Sequence, residues 1–256
     1  MTKLLNNLYN RYGELYFSIT VYVIYILSFT IMNFIDSLIP IPFIGTIIVS
    51  ILIVYVLFSW MKTNYFFSRY KFRLTNIKAK YFLFYIPLIF VTFISLSLGI
   101  RIYFSPLFFI LFTIYLILDT LIIETIRAFL FNAIKKSNEN VAIVICSLLT
   151  CFPDILNLFD VSSPLLSSLF SMIIAASMGF LYVTLYNRGN SIYPVLLCAF
   201  LSSLTQVFTP VDVSTLKLVL ISIAQIIIAV CYALILTKTL PKSTEEKPNK
   251  PWQIVQ

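Results

Sequence analysis

The stretch IYFSPLFFILFTIYLILDTLIIETIRAFLFNAI, from Ile102 to Ile134, decides how the rest of this chain is read. It exceeds the roughly 20 apolar residues that a membrane-spanning helix needs. Such a helix must tilt or protrude beyond the bilayer. Inside the stretch stand Asp119, Glu124 and Arg127. An ionisable side chain at mid-membrane costs roughly 2.5–3.5 kcal/mol on insertion scales, so such groups pair, line a cavity or do chemistry. Glu124 and Arg127 are spaced i, i+3, which lets them neutralise each other on one helix. Asp119 and Glu124 are five residues apart and splay by about 140° on a helix of 3.6 residues per turn.

Outward from this segment the chain reads as an all-α, polytopic membrane bundle. Its residues are 60% apolar and 11% charged, and the mean hydropathy is +0.98. A soluble domain carries about a quarter charged residues. Eight candidate spans follow in order: Leu15–Ile35, Ile41–Met61, Tyr81–Ile100, Ile102–Ile134, Val141–Phe152, Pro164–Tyr186, Ile192–Phe208 and Leu218–Leu240. The fifth is short, and either Asp154–Phe159 completes it or it is a half-span. Met1–Glu14 is polar and mildly basic, with no signal-peptide cleavage site after the first apolar run, so that run reads as a retained span. Residues 1–240 are expected to form one membrane domain, with 241–256 a disordered tail of low apolar content.

The net charge of +8 is a topology signal and gives no reason to expect nucleic acid. Lys3, Arg11, Lys62, Arg69, Lys71, Arg73, Lys78, Lys80, Lys135, Lys136, Arg188, Lys238, Lys242, Lys247 and Lys250 fall on one side of an eight-span arrangement. Arg101 and Lys217 fall on the other. The positive-inside rule then makes both termini cytoplasmic. In the basic loop Lys62–Lys80, the aromatics Tyr65, Phe66, Phe67, Tyr70 and Phe72 fit an aromatic belt at the interface or a binding site for anionic lipid headgroups. Prolines 87, 106, 153, 164, 194 and 210, near or inside the spans, suggest kinked helices. Cys146, Cys151, Cys198 and Cys231 read as small buried apolar residues. With no histidine in the chain and no paired cysteine motif, no metal and no cofactor are expected.

Three segments carry a resemblance. Arg127-Ala128-Phe129-Leu130-Phe131-Asn132 ends the long fourth span, and Ser147-Leu148-Leu149-Thr150-Cys151-Phe152-Pro153-Asp154 closes the fifth. Met178-Gly179-Phe180-Leu181-Tyr182 near the end of the sixth is followed by Arg188-Gly189-Asn190-Ser191-Ile192-Tyr193-Pro194. In this order they resemble the CPBP family of CAAX-protease and bacteriocin-processing intramembrane proteases, also called Abi proteins, over about residues 80–210. In that family paired glutamates precede an arginine by three spacers. A phenylalanine is followed four residues on by histidine, and a further histidine is followed four residues on by asparagine. Aligned on Arg127, this chain has Ile122 and Ile123 for the glutamates, Thr150 and Asp154 for the second motif, and Ala199 and Ser203 for the third. The family's glutamates and histidines are thought to activate a water, directly or through a metal. Isoleucine carries no proton and alanine ligates no metal.

The resemblance therefore implies a degenerate, non-catalytic member with no catalytic residue. It would act as a scaffold or regulator of a membrane-protein partner in bacteriocin self-immunity or cell-envelope work. A partner helix would pack on the small residues Ala175, Ala176, Ser177, Gly179, Ser202 and Ser203. Two alternatives stay open. One is an intramembrane peptidase using Asp119, Glu124 and Asp154 as substitute carboxylates. The other is a transporter whose polar path includes Asp119, Glu124, Arg127 and Asn132. Asn132 and Arg127 are the expected structural anchors, while Asp119 has no evident partner. High Lys, Asn, Ile, Phe and Tyr usage points to a bacterial plasma membrane.

Overall fold

The computed structural model describes residues 2–72, 85–100, 104–151, 165–189, 191–208 and 214–240. Among these residues the chain is a bundle of eight α-helices: α1 Thr2–Asp36, α2 Ile44–Thr63, α3 Ile86–Phe93, α4 Pro106–Lys135, α5 Glu139–Leu148, α6 Leu165–Arg188, α7 Tyr193–Gln206 and α8 Thr215–Thr239. The 3₁₀ turns Ile94–Leu98 and Leu149–Cys151 extend α3 and α5. Five helices (α1, α2, α4, α6 and α8) are long and apolar enough to cross a bilayer, while α3, α5 and α7 are shorter apolar helices. At 1.5 Å per residue, the 30 residues of α4 reach about 45 Å, well beyond a 30 Å hydrocarbon core. The Asp154–Phe159 completion of the fifth span, and Asp154 itself, lie outside the described residues, as does the tail from 241 onward.

Of the prolines expected to kink helices, the three described ones open helices instead, while Pro153, Pro164 and Pro210 lie outside the described residues. Pro87, Pro106 and Pro194 each occupy the first turn of α3, α4 and α7, where a missing N–H removes no intrahelical bond. At α4 the Ser105 hydroxyl completes the cap, accepting from Phe108 N at 3.2 Å. Asn138 caps α5 in the same way, accepting from Asn140 and Val141 N–H. The break in regular helix falls elsewhere, at Gly13 of α1, whose φ of 80° and ψ of 174° leave the helical region. The helix of the first span thus begins at Thr2, well before Leu15, as two segments meeting at Gly13. Beyond the break, Glu14, Phe17, Ser18, Val21 and Tyr25 are buried along one stripe of helical spacing.

Central in the packing is α4, which touches α1, α2, α5 and α7, while α6 packs against α5, α7 and α8. The start of α1 meets the end of α2 where Trp60 Nε1 and Asn64 Nδ2 donate to Asn6 Oδ1 at 2.7 and 2.8 Å. Lys71 Nζ donates to the Tyr186 and Gly189 carbonyls at 2.6 and 2.8 Å, closing the C-terminus of α6, where a cation complements the helix dipole. At the far end Lys217 Nζ donates to Leu98 O at 2.9 Å.

The described part of the loop after α2, residues 64–72, packs into the core, and Arg73, Lys78 and Lys80 lie outside the described residues. Tyr70 is fully buried and Phe66, Phe67 and Phe72 pack against the main apolar cluster, while Arg69 and Lys71 make internal bonds. Three of the cysteines are buried as expected, but Cys231 is exposed on α8. Of the small residues offered for a partner helix, Ser177, Gly179 and Ser202 are buried, while Ala175, Ala176 and Ser203 are partly exposed.

Candidate functional site

The site lies between α4 and α6, closed by the end of α5 on one side and α7 on the other. On α4, Glu124 and Arg127 are 4% and 6% exposed. Arg127 Nη1 donates to Glu124 Oε1 in a buried ion pair. One turn of helix brings the two groups together without help from any other segment. The pair is neutral as a unit, which is what burial in a low-dielectric bundle demands of two charges. Arg127 Nη2 reaches across to Thr150 Oγ1 at 3.2 Å. The guanidinium carbon lies 5.7 Å from the Tyr182 ring centroid, a cation–π distance. Its Nε is buried with no partner.

Thr150 is held against α6 by a glycine. A Cβ built on Gly179 would come within 2.1 Å of Thr150 Oγ1 and 2.6 Å of the Ser147 carbonyl. No side chain fits, so Gly179 is what lets the α5 end reach Arg127. The Tyr182 hydroxyl faces Ser202 of α7. Beside it, Cys198 Sγ and Thr92 Oγ1 lie 3.3 Å apart, and Thr205 Oγ1 donates to Thr92 O at 3.1 Å, which ties α7 to α3. Ile122 and Ala199 are buried, and Ile123 and Ser203 partly so. Arg127, Thr150, Gly179, Tyr182 and Ser202 therefore meet in one polar knot. The isoleucine and alanine side chains in this part of the bundle bring no donor atom.

The two carboxylates of α4 take different partners, in line with their 140° splay. Asp119 accepts from the Tyr25 hydroxyl of α1, while Glu124 turns to Arg127. They form no dyad. Tyr25 is the partner that Asp119 lacked in the sequence, and nothing in the spacing of either helix pointed to it. Asn132 anchors as expected, Nδ2 donating to Tyr186 Oη at 2.9 Å, and the Phe131 and Tyr186 rings meet edge-on at 5.6 Å. These contacts join the ends of α4 and α6.

Sequence reasoning missed a second polar centre around Glu14, which it counted only as part of a polar N-terminal segment. Glu14 is 7% exposed. Its carboxylate accepts from Arg69 Nη2, from Lys136 Nζ at 2.6 Å and from Tyr70 Oη at 2.7 Å. Arg69 Nη1 also donates to Tyr9 Oη at 2.9 Å. Burial, then the Glu14 carboxylate beside it, pushes the Tyr70 phenol well above its ordinary range, so it stays a donor. Over this centre Phe17 stacks on Trp60 at 4.4 Å, and Tyr70 meets Phe129 of α4 at 4.4 Å.

Among the described residues, no three of Cys, Asp and Glu gather into a group able to hold a metal. Of the aligned motif positions, Ile122, Ile123 and Ala199 bring no ligand atom and Thr150 Oγ1 already meets Arg127, while Ser203 is partly buried and Asp154 lies outside the described residues.

Residues 103–205 match the family described as type II CAAX prenyl endopeptidase Rce1-like, so this stretch, from α4 through α7, is an Rce1-like domain of the CPBP family in a multi-pass membrane protein. No characterised protein and no solved structure matches the chain.

Proposed function

We propose that this chain is a non-catalytic CPBP-like membrane protein that holds a partner's transmembrane segment, as a scaffold or regulator of a membrane or cell-envelope enzyme. One observation carries the reading. The carboxylate of the first-motif helix that faces the site, Glu124, is occupied by Arg127 within one turn of the same helix. A general base must be free to take a proton from a water at hydrogen-bond distance. A carboxylate already accepting from a neighbouring guanidinium is turned away from that task. Asp119 supplies no substitute, because it faces α1 and Tyr25. Thr150, Gly179 and Tyr182 keep the helices around Arg127 closely packed. By the positive-inside rule we place the basic end, with both termini, in the cytoplasm of a bacterial cell.

The test uses the purified protein in lipid nanodiscs with a farnesylated peptide ending in a CAAX sequence, the chemistry the family description names. No shortened peptide is expected by mass spectrometry. A product that disappears in Glu124→Gln, Asp119→Asn or Asp154→Asn makes the chain a peptidase and ends the scaffold reading. Crosslinking in native membranes is expected to recover a stoichiometric membrane-protein partner, and recovery of none counts against it.

A further inference from the structure

At the basic end of the bundle two cations share one carboxylate oxygen. Arg69 Nη2 and Lys136 Nζ both donate to Glu14 Oε2, while Tyr70 Oη donates to Oε1. Glu14 itself is buried, whereas the side chains of Arg69 and Lys136 are 34% and 64% exposed. One carboxylate offsets one of the two cations, so the cluster keeps one net positive charge, and that charge lies on its open side. Tyr9 and Tyr70 contribute hydroxyls to it and no charge. Lys136 has three N–H donors and, among the described residues, gives one of them to Glu14. A guanidinium fork and an ammonium held on either side of a single oxygen are close enough to share one phosphate group.

The cluster also lies at a definite depth. Before Gly13 the exposed side chains of α1 include Lys3, Asn7, Asn10 and Arg11. From Leu15 onward they include Leu15, Ile19, Val23 and Leu27, four residues apart along one face. The outward surface of α1 therefore turns from polar to apolar at Gly13 and Glu14, which puts the boundary between headgroups and acyl chains at that level. Tyr12 and Tyr16, both exposed, flank the boundary as amphipathic rings do at a membrane interface. An anion that meets Arg69 and Lys136 is thus at headgroup level.

We infer that the Glu14–Arg69–Lys136 cluster is a binding site for the phosphate of one anionic phospholipid in the leaflet at the basic end. Glu14 sets the two cations beside each other, and their exposed donors take the phosphate oxygens. The site joins α1, the segment after α2 and the turn after α4, so a bound headgroup steadies that junction. It is independent of the scaffold reading.

The test uses the full chain in detergent micelles, with phosphatidylglycerol or phosphatidylcholine titrated in and bound lipid counted by native mass spectrometry. One phosphatidylglycerol is expected to bind in preference to phosphatidylcholine, which carries the same phosphate beside a cation of its own. Lys136→Gln should weaken that binding roughly fivefold, the scale of one basic residue at an anionic surface. Lys136→Arg should restore it. Both variants should keep the wild-type unfolding midpoint, because the side chain is mostly exposed. Lys62→Gln removes an exposed charge at the end of α2 and should leave binding unchanged. Equal binding of the two lipids overturns the site. So does an equal loss in Lys62→Gln, which would mean a diffuse basic surface. Displacement of phosphatidylglycerol by inorganic phosphate at equal concentration also overturns the headgroup assignment, in favour of a soluble phosphate.

Discussion

Two buried carboxylates in this bundle solve the same problem by opposite means. Glu124 finds its cation three residues away on the same helix, while Glu14 draws its cations from 55 and 122 residues away. The first pair exists wherever α4 is helical and depends little on the rest of the fold. The second exists only after three segments have met, so it reports on their assembly. The two also differ in surroundings: Glu124 and Arg127 are both sealed, whereas Arg69 and Lys136 keep 34% and 64% of their side-chain surface in contact with solvent. A sealed local pair suits a permanent structural element. An assembled pair at the edge of solvent suits one that meets an outside charge.

The sharpest way to break this contrast is Arg127→Leu. It strands the Glu124 carboxylate in the bundle and is expected to cost about 3 kcal/mol of unfolding free energy in mixed detergent micelles. The double variant Glu124→Leu with Arg127→Leu should recover most of that loss, because no charge is left unpaired. If the double variant is as unstable as the single, the pair is not what Arg127 is for.

Next in size is Gly179→Ala, which forces α5 off α6 at Thr150 and Ser147 and is expected to cost about 1–3 kcal/mol by overpacking. Thr150→Ala should relieve part of this loss and leave the conflict with the Ser147 carbonyl. An unfolding midpoint for Gly179→Ala equal to wild type would contradict the close approach.

The smallest effect belongs to Glu14→Gln, about 1 kcal/mol after allowance for solvent around its partners. Its difference from wild type should shrink as salt is raised through the range where exposed charges are screened. The Arg127→Leu penalty should hold constant over the same range. Equal salt dependence would erase the distinction between the two centres.

Much of this fold was legible because a bilayer constrains a sequence so strongly. Helix number, order and approximate position follow from the length of apolar runs. The Glu124–Arg127 pair was legible for the same reason, since i, i+3 spacing is a property of one helix. Pro87, Pro106 and Pro194 misled because a proline starts a helix as readily as it bends one, and the caps that distinguish the two cases lie in flanking loops. The small residues of α6 and α7 are ambiguous in another way. A small side chain marks a close approach without saying whether the neighbour is internal or foreign, and Gly179 already has Thr150.

The sequence by itself determined an all-helical membrane protein with a self-neutralising charge pair on its central helix. Only the tertiary structure decided that Asp119 answers to Tyr25, 94 residues earlier, that Gly179 admits Thr150, and that Glu14 joins three segments at one end. The physical reason is that lipid is as apolar as the interior of the bundle. A helix face turned to the core carries little hydrophobic signature to separate it from one turned to the membrane, and so nothing in the periodicity tells which distant helix it will meet.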